Sequence, residues 1–241
     1  MNKELIKIRF NKKLDSYDEN ARIQNKMAKK LIEYLPKNDY GSVLELGCGT
    51  GMLTRYVSER INYENYLALD IVPNCEKYIK QLNPEIEFVA GDIEEFVKNS
   101  QQQYDLIVSN AALQWIENLP EFIKLLTERL NQSGILLFST FGTENFREIY
   151  YVIGKTLPYY SVKEFQTALT KFEPRIEEEL HVMAFKTPIE VLKHIQNTGV
   201  NAISSESWTK KDLAEFENGY NNFCSNKPTL TYNPVYVMIQ K

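Results

Sequence analysis

The sequence predicts an α/β fold: one open sheet, mostly parallel with an antiparallel edge strand, plus an N-terminal helical arm and a helical lid. Three observations predict it. From Tyr40 onward, short apolar runs alternate with helical patterns, as in a parallel sheet covered by helices. Five of those runs fall within residues 40–142, the density of a nucleotide-type sheet. The tail at 230–239 alternates in polarity, which suits a strand pairing antiparallel at a sheet edge.

In chain order, residues 4–35 carry one apolar stripe (Leu5, Ile8, Met27, Leu31, Leu35) closed by Pro36, and predict the helices of the arm. Strands are expected at 42–46, 66–70, 86–89, 104–109 and 134–141. Between them, 53–60, 74–82 and 119–130 show helical spacing or a helix start. After Phe141, helical patterns occupy 145–154, 162–172 and 189–197, with a strand-like 176–185 between the last two. A helix at 210–222 leads into the tail strand. We find no internal repeat. With 241 residues, 43% of them hydrophobic, the chain can fill one core. It reads as a single domain, 1–241: an arm (1–39), a sheet core (40–142), lid helices with one sheet strand (143–228) and a final strand (229–241).

Charged residues make up 25% of the chain and the net charge is -4, which argues against a general polyanion binder such as a nucleic-acid coat. The charge is uneven. Residues 1–30 hold nine bases against four acids, a local +5 that leaves -9 for the remainder. The three cysteines, Cys48, Cys75 and Cys224, lie too far apart for a ligand pair, and an odd count suits free thiols in a reducing compartment. No metal spacing is present. The opening MNKELIKIRF lacks the apolar stretch of a secretory signal, and no run is long enough to span a bilayer. A cytoplasmic monomer, with no membrane and no nucleic acid among its partners, is the expectation.

The chemistry is concentrated in Val43-Leu44-Glu45-Leu46-Gly47-Cys48-Gly49-Thr50-Gly51, an apolar strand running into an acid and three alternate glycines, with a helix directly after. Glycine lets the backbone turn sharply and approach a ligand closely. The spacing G-x-G-x-G differs from the dinucleotide G-x-G-x-x-G, and a nearby carboxylate, Glu45, suits a cationic zwitterion better than a pyrophosphate. A tight structural turn is the plainer reading. Asp70 ends the second strand nineteen residues past Gly51, where a carboxylate can accept both hydroxyls of a ribose; otherwise it is a helix cap or a surface acid. Asp92, in Gly91-Asp92-Ile93, sits where a carboxylate and the next backbone N–H could bracket an adenine edge, or where it caps the helix through Phe96. Both roles can hold together. Asn110 ends the fourth strand at the carboxyl edge, where ligands of open α/β sheets bind.

The ordered set Glu-x-Gly-x-Gly-x-Gly, Asp70, Gly-Asp-Ile and Tyr-Asp-Leu-Ile-Val-Ser-Asn resembles the Rossmann-like class I methyltransferases across residues 40–142. The resemblance implies S-adenosyl-L-methionine as cofactor, with S-adenosylhomocysteine as its product. It places Glu45 and Gly47 near the methionyl part, Asp70 on the ribose, and Asp92 with Ile93 at the adenine. The implied binding set is Glu45, Gly47, Cys48, Gly49, Gly51, Asp70, Ile71, Asp92, Ile93 and Asn110.

The flanks narrow the class. Phe10 with Tyr17, Gly91-Asp92-Ile93-Glu94, Ser109 through Trp115 followed by Asn118-Leu119, Phe138-Ser139-Thr140-Phe141, Thr198-Gly199-Val200-Asn201 and Leu230-Thr231-Tyr232 resemble the malonyl-acyl-carrier-protein O-methyltransferases of biotin synthesis. Trans-aconitate methyltransferases share a similar Asn-x-x-x-Gln-Trp run. The resemblance implies methylation of the free carboxylate of a malonyl thioester, on an acidic acyl carrier protein or coenzyme A. A small free polycarboxylate such as trans-aconitate, or a cofactor-binding protein without catalysis, are the alternatives. A carboxylate acceptor needs no base, so no certain catalytic residue is expected. The candidates around the acceptor are Tyr17, which could close over the methionyl end from the arm; Gln114 and Trp115, which could line the acceptor pocket; and Arg147, which follows the fifth strand and could clamp the acceptor carboxylate. A packing tyrosine, a core indole and a solvated helix arginine are their plainer readings. The +5 arm suits docking of an acidic carrier, or is the solvated face of an amphipathic helix.

Overall fold

The computed structural model describes residues 2–198 and 208–241. Gly199, Val200 and Asn201 of the Thr-Gly-Val-Asn segment lie outside the described residues. The arm forms three helices, α1 (Lys3–Asn11), α2 (Leu14–Asn20) and α3 (Arg22–Glu33). Strands and helices then alternate: β1 (Asp39–Leu46), α4 (Met52–Arg60), β2 (Asn62–Asp70), α5 (Glu76–Leu82), β3 (Glu87–Ala90), α6 (Ile93–Asn99), β4 (Tyr104–Asn110), α7 (Leu119–Glu128) and β5 (Leu130–Phe141). Beyond β5 come α8 (Arg147–Ile153), α9 (Val162–Ala168), β6 (Arg175–Glu178), β7 (His181–Ala184), α10 (Pro188–Asn197), α11 (Lys210–Phe223), β8 (Thr229–Tyr232) and β9 (Pro234–Gln240).

The main sheet has the order β3-β2-β1-β4-β5-β9-β6. The first five strands are mutually parallel, and β9 pairs antiparallel with β5. The antiparallel edge is therefore present, and it carries one further short strand, β6, on its outer side. Two strand-like stretches are each broken in two. The 176–185 stretch divides into β6 and β7, and the tail divides at Asn233 into β8, which pairs with β7, and β9. The break has a physical cause. Buried Asn233 accepts from the N–H of Glu144 at its Oδ1, donates from Nδ2 to the carbonyl of Glu179, and accepts from Gly142 at its own carbonyl, so its backbone is tied across the chain rather than along a strand.

Strand periodicity sorts the core onto the two faces of the sheet. Val43, Leu106, Val108, Ile135 and Leu137 pack on the face that receives Met27 and Leu31 of α3. Leu44, Ile107, Leu136 and Phe138 pack on the other, against Phe122, Ile123 and Leu126 of α7. Among the described residues, no helix is long and apolar enough to cross a membrane.

Strand order reverses direction between β1 and β4, so the loops leaving their carboxyl ends diverge and open a crevice. That crevice is the site.

Candidate active site

The cleft at the carboxyl ends of β1–β4 is lined by Glu45, Gly47, Cys48, Gly49, Asp70, Ile71, Asp92, Ile93, Asn110, Gln114 and Trp115, all sequence candidates, and by Tyr17 from the arm. The cleft is open to solvent on one side, and its empty space counted out to the mouth is about 1120 Å³.

The loop after β1 is held in a conformation that glycine supplies. Gly47 has φ +72°, and a Cβ there would enter the envelope of the Ala112 side chain. Gly51, φ +79°, opens α4 and backs onto Leu82 instead of lining the cleft. Asp70 braces this loop: its Oδ2 accepts from the N–H of Gly49 at 2.9 Å and its Oδ1 from the N–H of Val72 at 2.9 Å. Burial pushes the Asp70 carboxyl up, and those two N–H donors oppose the shift. Each oxygen keeps lone pairs for hydroxyl donors of a ligand.

Glu45 lies at the floor, 1% exposed. Its Oε2 accepts from Thr54 Oγ1 at 2.6 Å and from the Tyr66 hydroxyl at 2.5 Å. Burial pushes its pKa up to about 7, against the pull of those two donors. A cation arriving from the cleft would reverse that shift. Asp92 takes the capping role its position allows. It is the N-cap of α6, its Oδ1 accepting from the N–H of Glu94 and Glu95, while its Oδ2 sits 2.6 Å from Lys3 Nζ. Burial pushes this carboxyl up, but Lys3 and the two N–H groups outweigh it and hold it below the usual carboxylate range.

The arm is the cover of this cleft. It contributes Lys3, Ile6, Phe10, Tyr17 and Gln24 to the lining. Asp18 accepts from Thr50 Oγ1 at 2.5 Å, and Asp15 accepts from the Tyr78 hydroxyl and from Lys77, so α2 is fastened to the glycine loop and to α5. Phe10 and Tyr17 meet edge to face with centroids 5.0 Å apart. Burial, with Asp18 and Asp70 nearby, pushes the Tyr17 phenol up. Of the helices after residue 142, expected to lie over the cofactor as a lid, the described residues place Thr198 alone in the lining. The reason is packing: α8, α10 and α11 bury their apolar faces on one another and on β8.

Arg147 requires a correction. It is the first residue of α8, about half exposed, paired with Glu144 at 3.2 Å, and absent from the cleft. The turn of buried Phe146, at φ +57°, starts α8 so that Arg147 faces solvent. Asn110 lines the cleft and anchors the arm, its Nδ2 donating to the carbonyl of Gln24 at 3.1 Å and its Oδ1 accepting from Ser139. Gln114 donates from Nε2 to the carbonyl of Ala111 at 2.6 Å, which leaves its buried Oε1 without a partner.

Sequence reasoning passed over Gln24, Thr50 and Lys3. Gln24 had a signal: on α3 it falls in register with Met27, Ala28 and Leu31, so it is a polar residue within an apolar stripe. Lys3 and Thr50 had none, because both matter through contacts far along the chain.

Comparison with known proteins bears on this geometry. A family model described as a methyltransferase domain matches residues 17–179. A malonyl-[acyl-carrier protein] O-methyltransferase of Calditerrivibrio nitroreducens is 36% identical over 239 residues, 96% of this chain and 94% of its own. The protein of that name from Bacteroides thetaiotaomicron is 34% identical, covering 100% of this chain and 99% of its own. Among solved structures, an N-methyltransferase of Bradyrhizobium japonicum in complex with S-adenosyl-L-homocysteine covers 98% of both chains with a TM-score of 0.56 at 15% identity, a likeness of fold. With the crevice at the sheet's switch point, the glycine loop braced by Asp70, and relatives aligned from end to end, the chain belongs to the malonyl-[acyl-carrier protein] O-methyltransferase family.

Proposed function

We propose that the chain transfers the methyl group of S-adenosylmethionine to the free carboxylate of a malonyl thioester carried by an acyl carrier protein, giving the methyl ester that primes biotin synthesis. The observation that carries the reading is the cleft at the carboxyl ends of β1–β4, in a chain similar along its whole length to enzymes of that name.

The lining fits such a cofactor. Gly47 at φ +72° turns the loop under the cleft with no side chain, buried Glu45 and the unpartnered Gln114 Oε1 are acceptors for a cationic amine, and Asp70 has lone pairs for ribose hydroxyls. Asp92 and Ile93 would meet the adenine. When bound, S-adenosylmethionine supplies an electrophilic methyl group. The protein's part is alignment and dryness. A malonyl carboxylate is already ionised at pH 7 and needs no base, so orienting it in line and excluding water supply the rate. Phe10 and Tyr17 of the arm, with Trp115 from the loop after β4, give the lining aromatic surface that would exclude that water. Methylation masks the charge that would bar the acyl chain from an apolar tunnel. Exposed Lys12, Arg22, Lys26 and Lys29 give the arm a basic face for an acidic carrier.

Competing acceptors test the proposal. Malonyl-carrier protein is expected to be turned over with a higher kcat/KM than malonyl-coenzyme A, and trans-aconitate not at all. Turnover of trans-aconitate with none of malonyl thioesters would reject it.

A further inference from the structure

Removing Arg147 from the cleft leaves the acceptor carboxylate without its expected clamp. Among the described residues lining the cleft, the one cation is Lys3, already paired with Asp92 at 2.6 Å and Glu94 at 2.5 Å. Residues 199–207, outside the described set, contain no Lys or Arg. Among the described lining residues, neutral donors are what is left to meet the carboxylate.

Gln24 presents one. Its side chain lines the cleft and is 2% exposed, and among the described residues its buried Oε1 has no hydrogen-bond partner. An unsatisfied amide in the core side of a helix is destabilising, and an apolar residue in register with Met27 and Leu31 would pack better there. The oxygen and nitrogen of an amide exchange by a half-turn of its last torsion, so either end can take the unpartnered position.

Position selects which ligand group it meets. The strand order β3-β2-β1-β4 sets Asp92, Asp70, Glu45 and Asn110 in sequence across the crevice. On the reading above, adenine, ribose and methionyl group lie over the first three. The carbonyl of Gln24 accepts from Asn110 at the end of β4, one strand further on and beside Gln114 and Trp115. That is the side from which an acceptor must approach the methyl. We infer that the Gln24 side-chain amide is the group that binds the acceptor carboxylate, donating from Nε2 to one oxygen and leaving the other free to attack. The inference rests on the proposed function. A neutral amide orients the carboxylate while drawing less electron density from it than a guanidinium would, which keeps the attacking oxygen nucleophilic.

Steady-state kinetics of Gln24→Leu test it, with S-adenosylmethionine affinity measured by calorimetry and acetyl-carrier protein, which lacks the carboxylate, used as a competitive inhibitor. KM for malonyl-carrier protein should rise about tenfold or more, the loss of one charge-assisted hydrogen bond, while cofactor affinity and the acetyl inhibition constant stay within about twofold. Gln24→Glu keeps the size, sets charge against charge and should raise KM further; it serves if the leucine variant does not fold. An unchanged KM in both folded variants, or weakened cofactor binding with unchanged KM, would overturn the assignment. Wild-type protein that fails to methylate malonyl-carrier protein would instead remove the proposed function, and the inference with it.

Discussion

Glu45 is the residue whose environment most directly couples site and stability. Its folded pKa of about 7 lies above the ordinary glutamate value because burial disfavours the charge. A raised carboxyl pKa contributes stability that is present in full below the unfolded value and is lost as pH rises through about 7. The ligand-free protein should therefore gain stability as pH falls from about 7 toward the unfolded glutamate value, and Glu45→Gln should flatten that part of the profile. S-adenosylmethionine brings positive charge and favours the carboxylate, so its binding near pH 6.5 should release a proton, visible as a dependence of calorimetric enthalpy on buffer ionisation and absent from Glu45→Gln. Gly47→Ala should cost about 2 kcal/mol of stability, from the φ of +72° and the crowding on Ala112. Glu45, Gly47 and Asp70 were legible in the sequence because each sits at the end of an apolar strand, a place that local pattern marks. Arg147 was misread because the same rule was applied after β5, where the turn at Phe146 carries the chain out of the crevice.

At the scale of elements, the arm is a cover whose fastenings include Asp18 to Thr50, Asp15 to Tyr78, Lys3 to Asp92 and Gln24 to Asn110. Removing two fastenings, with Asp15→Ala and Asp18→Ala together, should speed cofactor release several-fold in stopped-flow measurements while leaving the melting temperature within a few degrees, since neither carboxylate is in the core. An unchanged release rate would mean the arm does not gate the cleft. The apolar stripe of 4–35 announced helices but gave no sign of where they lie, since that depends on pairs such as Asn110 with Gln24, 86 residues apart. The strands of the core were legible in order and type, with ends extended by the ladder beyond the apolar runs. The split of the tail was not, because Asn233 gains its partners from Gly142, Glu144 and Glu179.

For the whole molecule, two properties carry predictions. The sheet holds the site rigid through its two-sided core, and Phe138→Ala, at 0% exposure in that core, should cost about 3–5 kcal/mol. Charge is divided between a basic arm and an acidic remainder. Lys12→Glu with Arg22→Glu should raise KM for malonyl-carrier protein several-fold at low salt, with the difference shrinking as salt screens it; a KM indifferent to both changes would remove the arm as a docking face. Methylation of the malonyl carboxylate in this cleft is tested by mass spectrometry of malonyl-carrier protein incubated with the enzyme and S-adenosylmethionine. A gain of one methyl on the malonyl group, lost with Asp70→Ala, is the expected result. A carrier whose mass stays unchanged, or a methyl gain that persists in Asp70→Ala, would contradict it.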